Sequence, residues 1–328
     1  MRERGHILEI TELQTYFYVP EGVVKAVDRV SFNLAPGEIL GIVGESGCGK
    51  SVTALSILQL IDPPGKIVSG QILYAGENIL ERNEKQMRGI RGKRIAMIFQ
   101  DPMTSLNPLL TVGEQITETL LAHQKIDKKE ALGRAAVLLQ NTGIPDPKRR
   151  LKEYPHQFSG GMRQRVMIAA ALACDPDIII ADEATTALDV TIQAQILEIL
   201  QELARSTGTS VILITHDLGI VAEMCDRILI MYTGRIIEQG RTKEIFDNPL
   251  HPYTRGLLDS LPERRQRGEQ LYNIRGVVPV PIELPSGCHF SDRCERMIEG
   301  TCERIQPPWS TATETHRVYC HLYQDGKQ

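Results

Sequence analysis

The sequence predicts an α/β protein built on a phosphate-binding loop, and three observations point there. The first is Gly44-Glu45-Ser46-Gly47-Cys48-Gly49-Lys50-Ser51, which fits the spacing G-x-x-x-x-G-K-[ST]. The second is its setting: Ile39 to Val43 before it reads as a short buried strand, and Val52 to Leu60 after it as a helix. The third is another apolar strand, Ile178-Ile179-Ile180-Ala181-Asp182-Glu183, which ends in two carboxylates. Glycines let consecutive backbone N–H groups turn inward as an anion nest. The helix that follows adds its positive N-terminal end. Lys50 is expected to reach the outer phosphates of a nucleoside triphosphate, and the Ser51 hydroxyl to ligate Mg²⁺. Asp182 is expected to hold the same ion, directly or through water, and Glu183 to polarise the attacking water.

The bulk properties suit such a protein. A chain of 328 residues, 42% hydrophobic and 24% charged, has material for a large core in one or two domains. A net charge of −4 argues against a dedicated nucleic-acid binder, which carries a basic balance. No apolar run is long enough to span a bilayer. The charged start, Met1 to His6, lacks the apolar core of a secretory signal, so the expected location is cytoplasmic. Of seven cysteines, Cys48, Cys174 and Cys225 are scattered, while Cys288, Cys294, Cys302 and Cys320 crowd the last part. In a reducing compartment such crowding suggests a metal site rather than disulfides.

In chain order, Ile7–Phe17 and Val23–Leu34 read as strands, and Pro36-Gly37-Glu38 turns the chain into the phosphate-loop strand. Asp62-Pro63-Pro64-Gly65 breaks the chain after the first helix, and Gly70–Gly76 reads as a strand entering a turn. These early strands are expected to form an antiparallel sheet over the base and ribose. Arg94–Phe99 is an apolar strand that delivers Gln100 at its C-terminal end, where ligands of open α/β sheets collect. From Val112 to Gly143 the pattern turns helical. Asp127 and Glu130 suggest a capping box, Ala131, Leu132, Ala135, Leu138 and Leu139 an apolar stripe, and Gly143 a C-terminal cap. The polar Pro145–Arg150 ends that stretch. Ser159-Gly160-Gly161 then opens a helix that continues through Ala171. Val211–Thr215 is a further strand and delivers His216.

The order of these motifs resembles the nucleotide-binding subunit of an ABC transporter. Ser159-Gly160-Gly161 lies just upstream of the Asp182-Glu183 strand, and Thr186-Ala187-Leu188-Asp189 and His216 follow it. The resemblance spans about residues 7 to 250. It implies a P-loop NTPase (RecA-like) core with an antiparallel β subdomain, a helical subdomain over about residues 103–170 that carries the signature motif, and a small irregular C-terminal extension with cysteines. It implies ATP bound by Gly44, Glu45, Ser46, Gly47, Cys48, Gly49, Lys50, Ser51 and Val52, with Phe17 on the adenine, between the neighbouring Tyr16 and Tyr18. Gln100 would contact Mg²⁺ and sense transmembrane subunits, and His216 would hold the γ-phosphate in register with Glu183. Phe158, Ser159, Gly160, Gly161 and Met162 would bind ATP held by the opposite subunit, since a helix N-terminus can receive an anion. Asp189 would couple the two sites. Phe158 and Met162 replace the commonest Leu and Gln, and Thr186 the usual Ser, while the Ser-Gly-Gly core and the closing Asp are kept.

Gln100–Pro108, Phe158–Arg165 and His251-Pro252-Tyr253-Thr254 look like the dipeptide/oligopeptide importer group, of which nickel importers are close relatives, and in particular its D-type ATPase. That resemblance implies two transmembrane permease subunits, a second ATP-binding subunit (a non-identical paralogue, with a homodimer as the alternative) and, indirectly, an extracellular peptide-binding protein. It places the chain on the cytoplasmic face of the membrane. The division expected is a nucleotide-binding domain over 1–250 and an extension over 251–328. Cys288-x5-Cys294-x7-Cys302-x17-Cys320 fits neither ferredoxin spacing nor a paired C-x2-C zinc site. In a segment with little apolar material of its own, four thiolates suit [4Fe–4S] or Zn²⁺. The resemblance favours [4Fe–4S], with Zn²⁺ as the alternative and free thiols the bland reading. His289 and His321, each beside a cysteine, are further candidate ligands. The competing functional reading, a soluble ABC ATPase acting on ribosomes or DNA, usually carries two cassettes or a long coiled coil. This chain has one phosphate loop and a short helical insertion.

Overall fold

The computed structural model describes residues 5–184, 190–261, 273–282 and 284–326. Strands β1 (Leu8–Val19) and β2 (Gly22–Leu34) come first, then β3 (Ile39–Val43), helix α1 (Lys50–Ile57), β4 (Gly65–Tyr74) and β5 (Glu77–Asn78). Next are α2 (Glu84–Arg88), β6 (Ile95–Ile98), α3 (Pro102–Ser105), α4 (Val112–His123), α5 (Lys128–Asn141), α6 (Pro147–Arg150) and α7 (Gly160–Ala171). The chain continues through β7 (Ile178–Asp182), α8 (Val190–Thr207), β8 (Ser210–Thr215), α9 (Leu218–Met224), β9 (Arg227–Tyr232) and β10 (Arg235–Arg241). Helices α10 (Thr242–Asp247) and α11 (Pro252–Asp259) and strands β11 (Trp309–Thr311) and β12 (Arg317–Tyr319) complete it. Two compact units result. Gly5, Ala35–Ile39 and the described residues of Glu81–Ile214 form the first, and His6–Leu34, Leu40–Leu80 and the described residues from Thr215 onward form the second.

In the first unit β8, β7 and β6 run parallel in that order. Every residue of β7 and β8 is buried, as expected of a parallel sheet covered on both faces. Helices α4, α5 and α7 make up the helical part. α4 starts with a full capping box: the Thr111 hydroxyl accepts the Glu114 N–H at 3.2 Å, and the Glu114 carboxylate accepts the Thr111 N–H at 2.8 Å. The box expected at Asp127 is only half made. Asp127 accepts the Glu130 N–H, but the Glu130 carboxylate turns to Arg134 one turn on, at 2.8 Å. Ala131, Ala135 and Leu139 are the fully buried line of the α5 stripe, with Leu132 and Leu138 on its flanks. Gly143 follows at φ 72°, in the left-handed conformation of a helix C-cap. The polar stretch after it is not plain loop, because Pro147 opens the short helix α6.

In the second unit β2-β1-β4-β5 make a four-stranded antiparallel sheet. β1 buries Leu8 and Ile10, then shifts register at Glu12 (φ 48°) so that Leu13 and Thr15 turn inward again. β3 pairs in parallel with β9, and β10, β12 and β11 continue that sheet antiparallel. Most of the described C-terminal part is irregular, but it does not lack apolar anchors: β12 extends the sheet by pairing with β10, and Val318 and Cys320 pack with Leu250. Phe290 is buried beside Tyr232, Tyr253 and His251, with ring centroids 5.3, 5.4 and 5.7 Å away. The fully buried Glu238 accepts the N–H groups of Leu250 (2.7 Å) and His251 (2.8 Å) and meets His316 Nε2 at 2.8 Å. Strand addition, aromatic packing and a hydrogen-bonded buried carboxylate anchor this region.

Candidate functional site

The phosphate loop lies in the second unit, between β3 and α1. Gly49 sits at φ 103° as the N-cap of α1, and a Cβ there would run into the Ala26 carbonyl oxygen. Only glycine fits both demands. Ser46 and Gly47 form the exposed crest, while Cys48 and Lys50 are buried. The Cys48 carbonyl accepts the Gly234 N–H at 2.9 Å, and burial pushes the Cys48 thiol up, away from thiolate character. Lys50 Nζ crosses the loop to the carbonyls of Gly44 (2.8 Å) and Glu45 (3.1 Å). Ser51 and Val52 occupy the first turn of α1, half-buried.

Of the three neighbouring aromatics, Tyr16 is engaged elsewhere. Its hydroxyl donates to Asp28 Oδ1 at 3.0 Å, and burial followed by the Asp28 charge pushes it up to about 12. Asp28 in turn pairs with Arg235. Phe17 lies against Gly65 of β4, and Tyr18 is 52% exposed. His216, exposed, directly follows β8, and Asp217 after it caps α9 by accepting the Gly219 and Ile220 N–H groups.

The first unit brings Gln100 and Glu183 together. Gln100 follows the β6 strand and donates from Nε2 to Glu183 Oε2 at 2.8 Å. Asp182, the last residue of β7, is 6% exposed. Glu183 adopts φ 45°, with its N–H bonded to the Ile214 carbonyl at 2.9 Å, so the carboxylate is aimed by a strained backbone held in the sheet. Within this unit Gln100 and Asp182 offer amide and carboxylate oxygens, donors of the kind Mg²⁺ takes, and in the second unit Ser51 offers a hydroxyl. In the signature stretch Phe158 is buried under the Arg150 guanidinium, 5.5 Å from its ring centroid. Ser159 caps α7 by accepting the Met162 N–H at 3.3 Å. Gly160, Gly161 and Met162 form the exposed to half-exposed first turn of α7, the end that favours an anion. Asp189 and the Thr186-Ala187-Leu188 before it lie outside the described residues.

The C-terminal thiols share one neighbourhood. Burial first, then the charges of Cys302 and Cys294, push the Cys288 thiol up to about 11. Burial and the other three cysteines push Cys320 up to about 12. Cys302 Sγ accepts the Ile298 N–H at 3.4 Å. Among the described residues, however, no group of three or more His, Cys, Asp or Glu side chains is arranged to hold a metal ion. The arrangement therefore gives no support to the expected [4Fe–4S] cluster or to its Zn²⁺ alternative. His289 is engaged by Thr233 Oγ1 (2.9 Å) and His321 by the Ile305 carbonyl (2.8 Å).

Two residues not singled out for the site touch the phosphate loop. Tyr253, fully buried, accepts the Glu45 N–H on its hydroxyl at 2.9 Å, and Arg293 grips the Glu45 carboxylate. Tyr253 lies in His251-Pro252-Tyr253, a motif read only as a family mark. Arg293, next to Cys294, carried no signal, because 248 positions separate it from Glu45.

Comparison with known proteins gives a consistent set of matches. A family model described as ABC transporter matches residues 27–186, and one described as oligopeptide/dipeptide transporter, C-terminal region, matches 237–302. A probable peptide ABC transporter ATP-binding protein of Sinorhizobium fredii is 52% identical over 316 residues, covering 96% of this chain and 94% of its own length. The dipeptide transport ATP-binding protein DppD of Bacillus subtilis is 52% identical over 318 residues, with 96% and 94% covered. Among solved structures, a dimeric post-hydrolysis state of the ATP-binding cassette MJ0796 with ADP and Pi superposes with a TM-score of 0.66 at 28% identity. The superposition covers 72% of this chain and 98% of that one.

Proposed function

The chain belongs to the ABC transporter family and is an ATPase, and from that premise we propose that it drives the uptake of di- and oligopeptides through a membrane importer. The observation that carries the reading is the phosphate loop itself: a glycine nest closed by Gly49 at φ 103°, with Lys50 held across it. The peptide substrate follows from the relatives' names and from the match of the C-terminal region.

Gly44 to Val52 wrap the triphosphate of ATP, and Lys50 exchanges its loop carbonyls for the outer phosphates. Ser51, Gln100 and Asp182 would hold Mg²⁺, which would supply positive charge to offset that of the phosphates. Glu183 orients and polarises the attacking water, and Gln100, hydrogen-bonded to it, links that carboxylate to the stretch that meets the permeases. His216 holds the γ-phosphate. Phe158 to Met162 take the γ-phosphate on the opposite subunit, and Asp189 couples the two sites. ATP thus joins two ATP-binding subunits, and loss of the γ-phosphate contacts lets them part. Phe17 or Tyr18 faces the adenine, Tyr16 being engaged by Asp28.

The partners are two transmembrane permease subunits and a second ATP-binding subunit, with a peptide-binding protein beyond the membrane. Attachment to the cytoplasmic face runs through the permeases; among the described residues no helix is long and apolar enough to cross a membrane. Met103 and Leu109, 64% and 83% exposed just after Gln100, supply apolar surface for that docking. A [4Fe–4S] cluster on Cys288, Cys294, Cys302 and Cys320 rests on family resemblance alone.

The test is uptake. Cells deprived of this chain are expected to lose uptake of labelled dipeptide and to regain it with the wild-type chain but not with Glu183→Gln. The variant is expected to bind ATP while hydrolysing it about a hundredfold more slowly or worse. Unchanged peptide uptake, with loss of nickel uptake instead, would refute the peptide reading.

A further inference from the structure

Glu45 is an acid placed inside an anion-binding loop. Left alone, its carboxylate would repel the triphosphate that the neighbouring N–H groups attract. Arg293 meets it with a two-pronged contact: Nη1 donates to Oε2 at 2.8 Å and Nη2 to Oε1 at 3.1 Å. The Arg293 side chain is 6% exposed and Glu45 30%. The guanidinium is locked on every side. Nε donates to the Arg275 carbonyl at 2.8 Å, and Cζ sits 5.8 Å from the ring centroids of both Tyr232 and Phe290. Burial works against its charge, but the hydrogen bonds to Glu45 and Tyr232 outweigh it, and the group is held above its ordinary value. On the other side of Glu45, Tyr253 fixes the backbone by accepting its N–H. One residue of the phosphate loop is therefore held at both ends by the C-terminal region.

We propose that Arg293 is a positioning residue of the ATP site, which cancels the Glu45 charge and so lets the C-terminal region set the affinity for ATP. The inference rests on the reading of the loop as an ATP site. A guanidinium suits the task because its planar fork matches both carboxylate oxygens and it does not lose its proton. A lysine would keep the charge without the fork.

Equilibrium binding of radiolabelled Mg-ATP to the full chain, with steady-state hydrolysis and thermal unfolding alongside, tests this. Arg293→Ala is expected to raise the Kd and KM for ATP about tenfold, Glu45 being partly solvent-screened, with kcat changed less than about twofold. Arg293→Lys is expected to raise them about threefold. In a Glu45→Gln background the further effect of either substitution is expected to shrink below about twofold, because no carboxylate is left to neutralise. An unchanged Kd in Arg293→Ala would overturn the proposal. So would an equal rise in the Glu45→Gln background, which would mark a packing role alone. Should Arg293→Ala fail to fold, the Arg293→Lys cycle carries the same decision. Wild-type chain that binds no ATP would sink the ATP reading itself, whereas wild-type binding matched by both variants would sink only this inference.

Discussion

His251 makes stability depend on pH in a calculable way. It is 1% exposed, its Nδ1 accepts the Tyr253 N–H at 3.1 Å to cap α11, and its ring packs edge-on to Phe290. Burial pushes the imidazole down to about 4, against the opposing pull of the Glu238 carboxylate. A proton on Nδ1 would also erase the cap. In the unfolded chain the same group titrates near 6.5. The unfolded state therefore binds the proton first as pH falls. Stability from this group is whole above about pH 6.5, declines through the acid range and levels off below about 4. At about 1.4 kcal/mol per pH unit, the loss between pH 7 and pH 5 is about 2 kcal/mol. His289, also held down to about 4 by burial and then by Arg235, adds a slope of the same sign, so wild type alone does not isolate His251. His251→Asn does, because Asn keeps an N-cap acceptor and does not titrate. Urea unfolding of both chains, followed by the fluorescence of Trp309 in the same unit, is the assay. The stability of wild type relative to the variant is expected to fall by about 2 kcal/mol from pH 7 to pH 5. A gap that does not change with pH would refute the reasoning, whatever its size at either pH.

Gly49→Ala forces a Cβ against the Ala26 carbonyl at a backbone angle that side chains avoid. Loss of ATP binding is expected, with destabilisation of about 1–3 kcal/mol in thermal unfolding. For the C-terminal cysteines, iron, sulfide and zinc are to be measured on protein purified without oxygen. Family resemblance expects about four irons and four sulfides per chain, and metal-free protein would leave Cys288, Cys294, Cys302 and Cys320 as free thiols, the first two half-buried and the last two buried.

Elements whose signal is local were legible in the sequence. The phosphate loop, the β7 strand with its carboxylates and the Ser159 cap all lie in short stretches whose residue types dictate their backbone. Helix α8 was equally open to reading, since Ile196, Leu200 and Ala204 recur every fourth position and are buried. Contacts between distant positions were not legible. Nothing in the sequence says that Glu130 prefers Arg134 to its own cap, a choice between two reachable partners of similar worth. The C-terminal region looked short of apolar anchors because its partners, Tyr232 and Leu250, lie outside it in sequence.

The same distinction explains what His251-Pro252-Tyr253 does. As letters it marks a family. Physically it is a helix start that serves as a strut. His251 supplies the cap acceptor, and Pro252 occupies the first helical position, where its missing N–H costs nothing. The turn so made throws the Tyr253 side chain under the aromatic pair Tyr232 and Phe290, with its hydroxyl at the Glu45 N–H. Glu238 anchors the base of the strut by taking the N–H groups of Leu250 and His251, and His316 by β12 completes that carboxylate's shell. A line of hydrogen bonds and packed rings therefore runs from the added strand β12 to the phosphate loop. A shift of β12 against β10 would act first on His316 and Glu238, and through the Glu238 bonds to Leu250 and His251 on the helix that carries Tyr253.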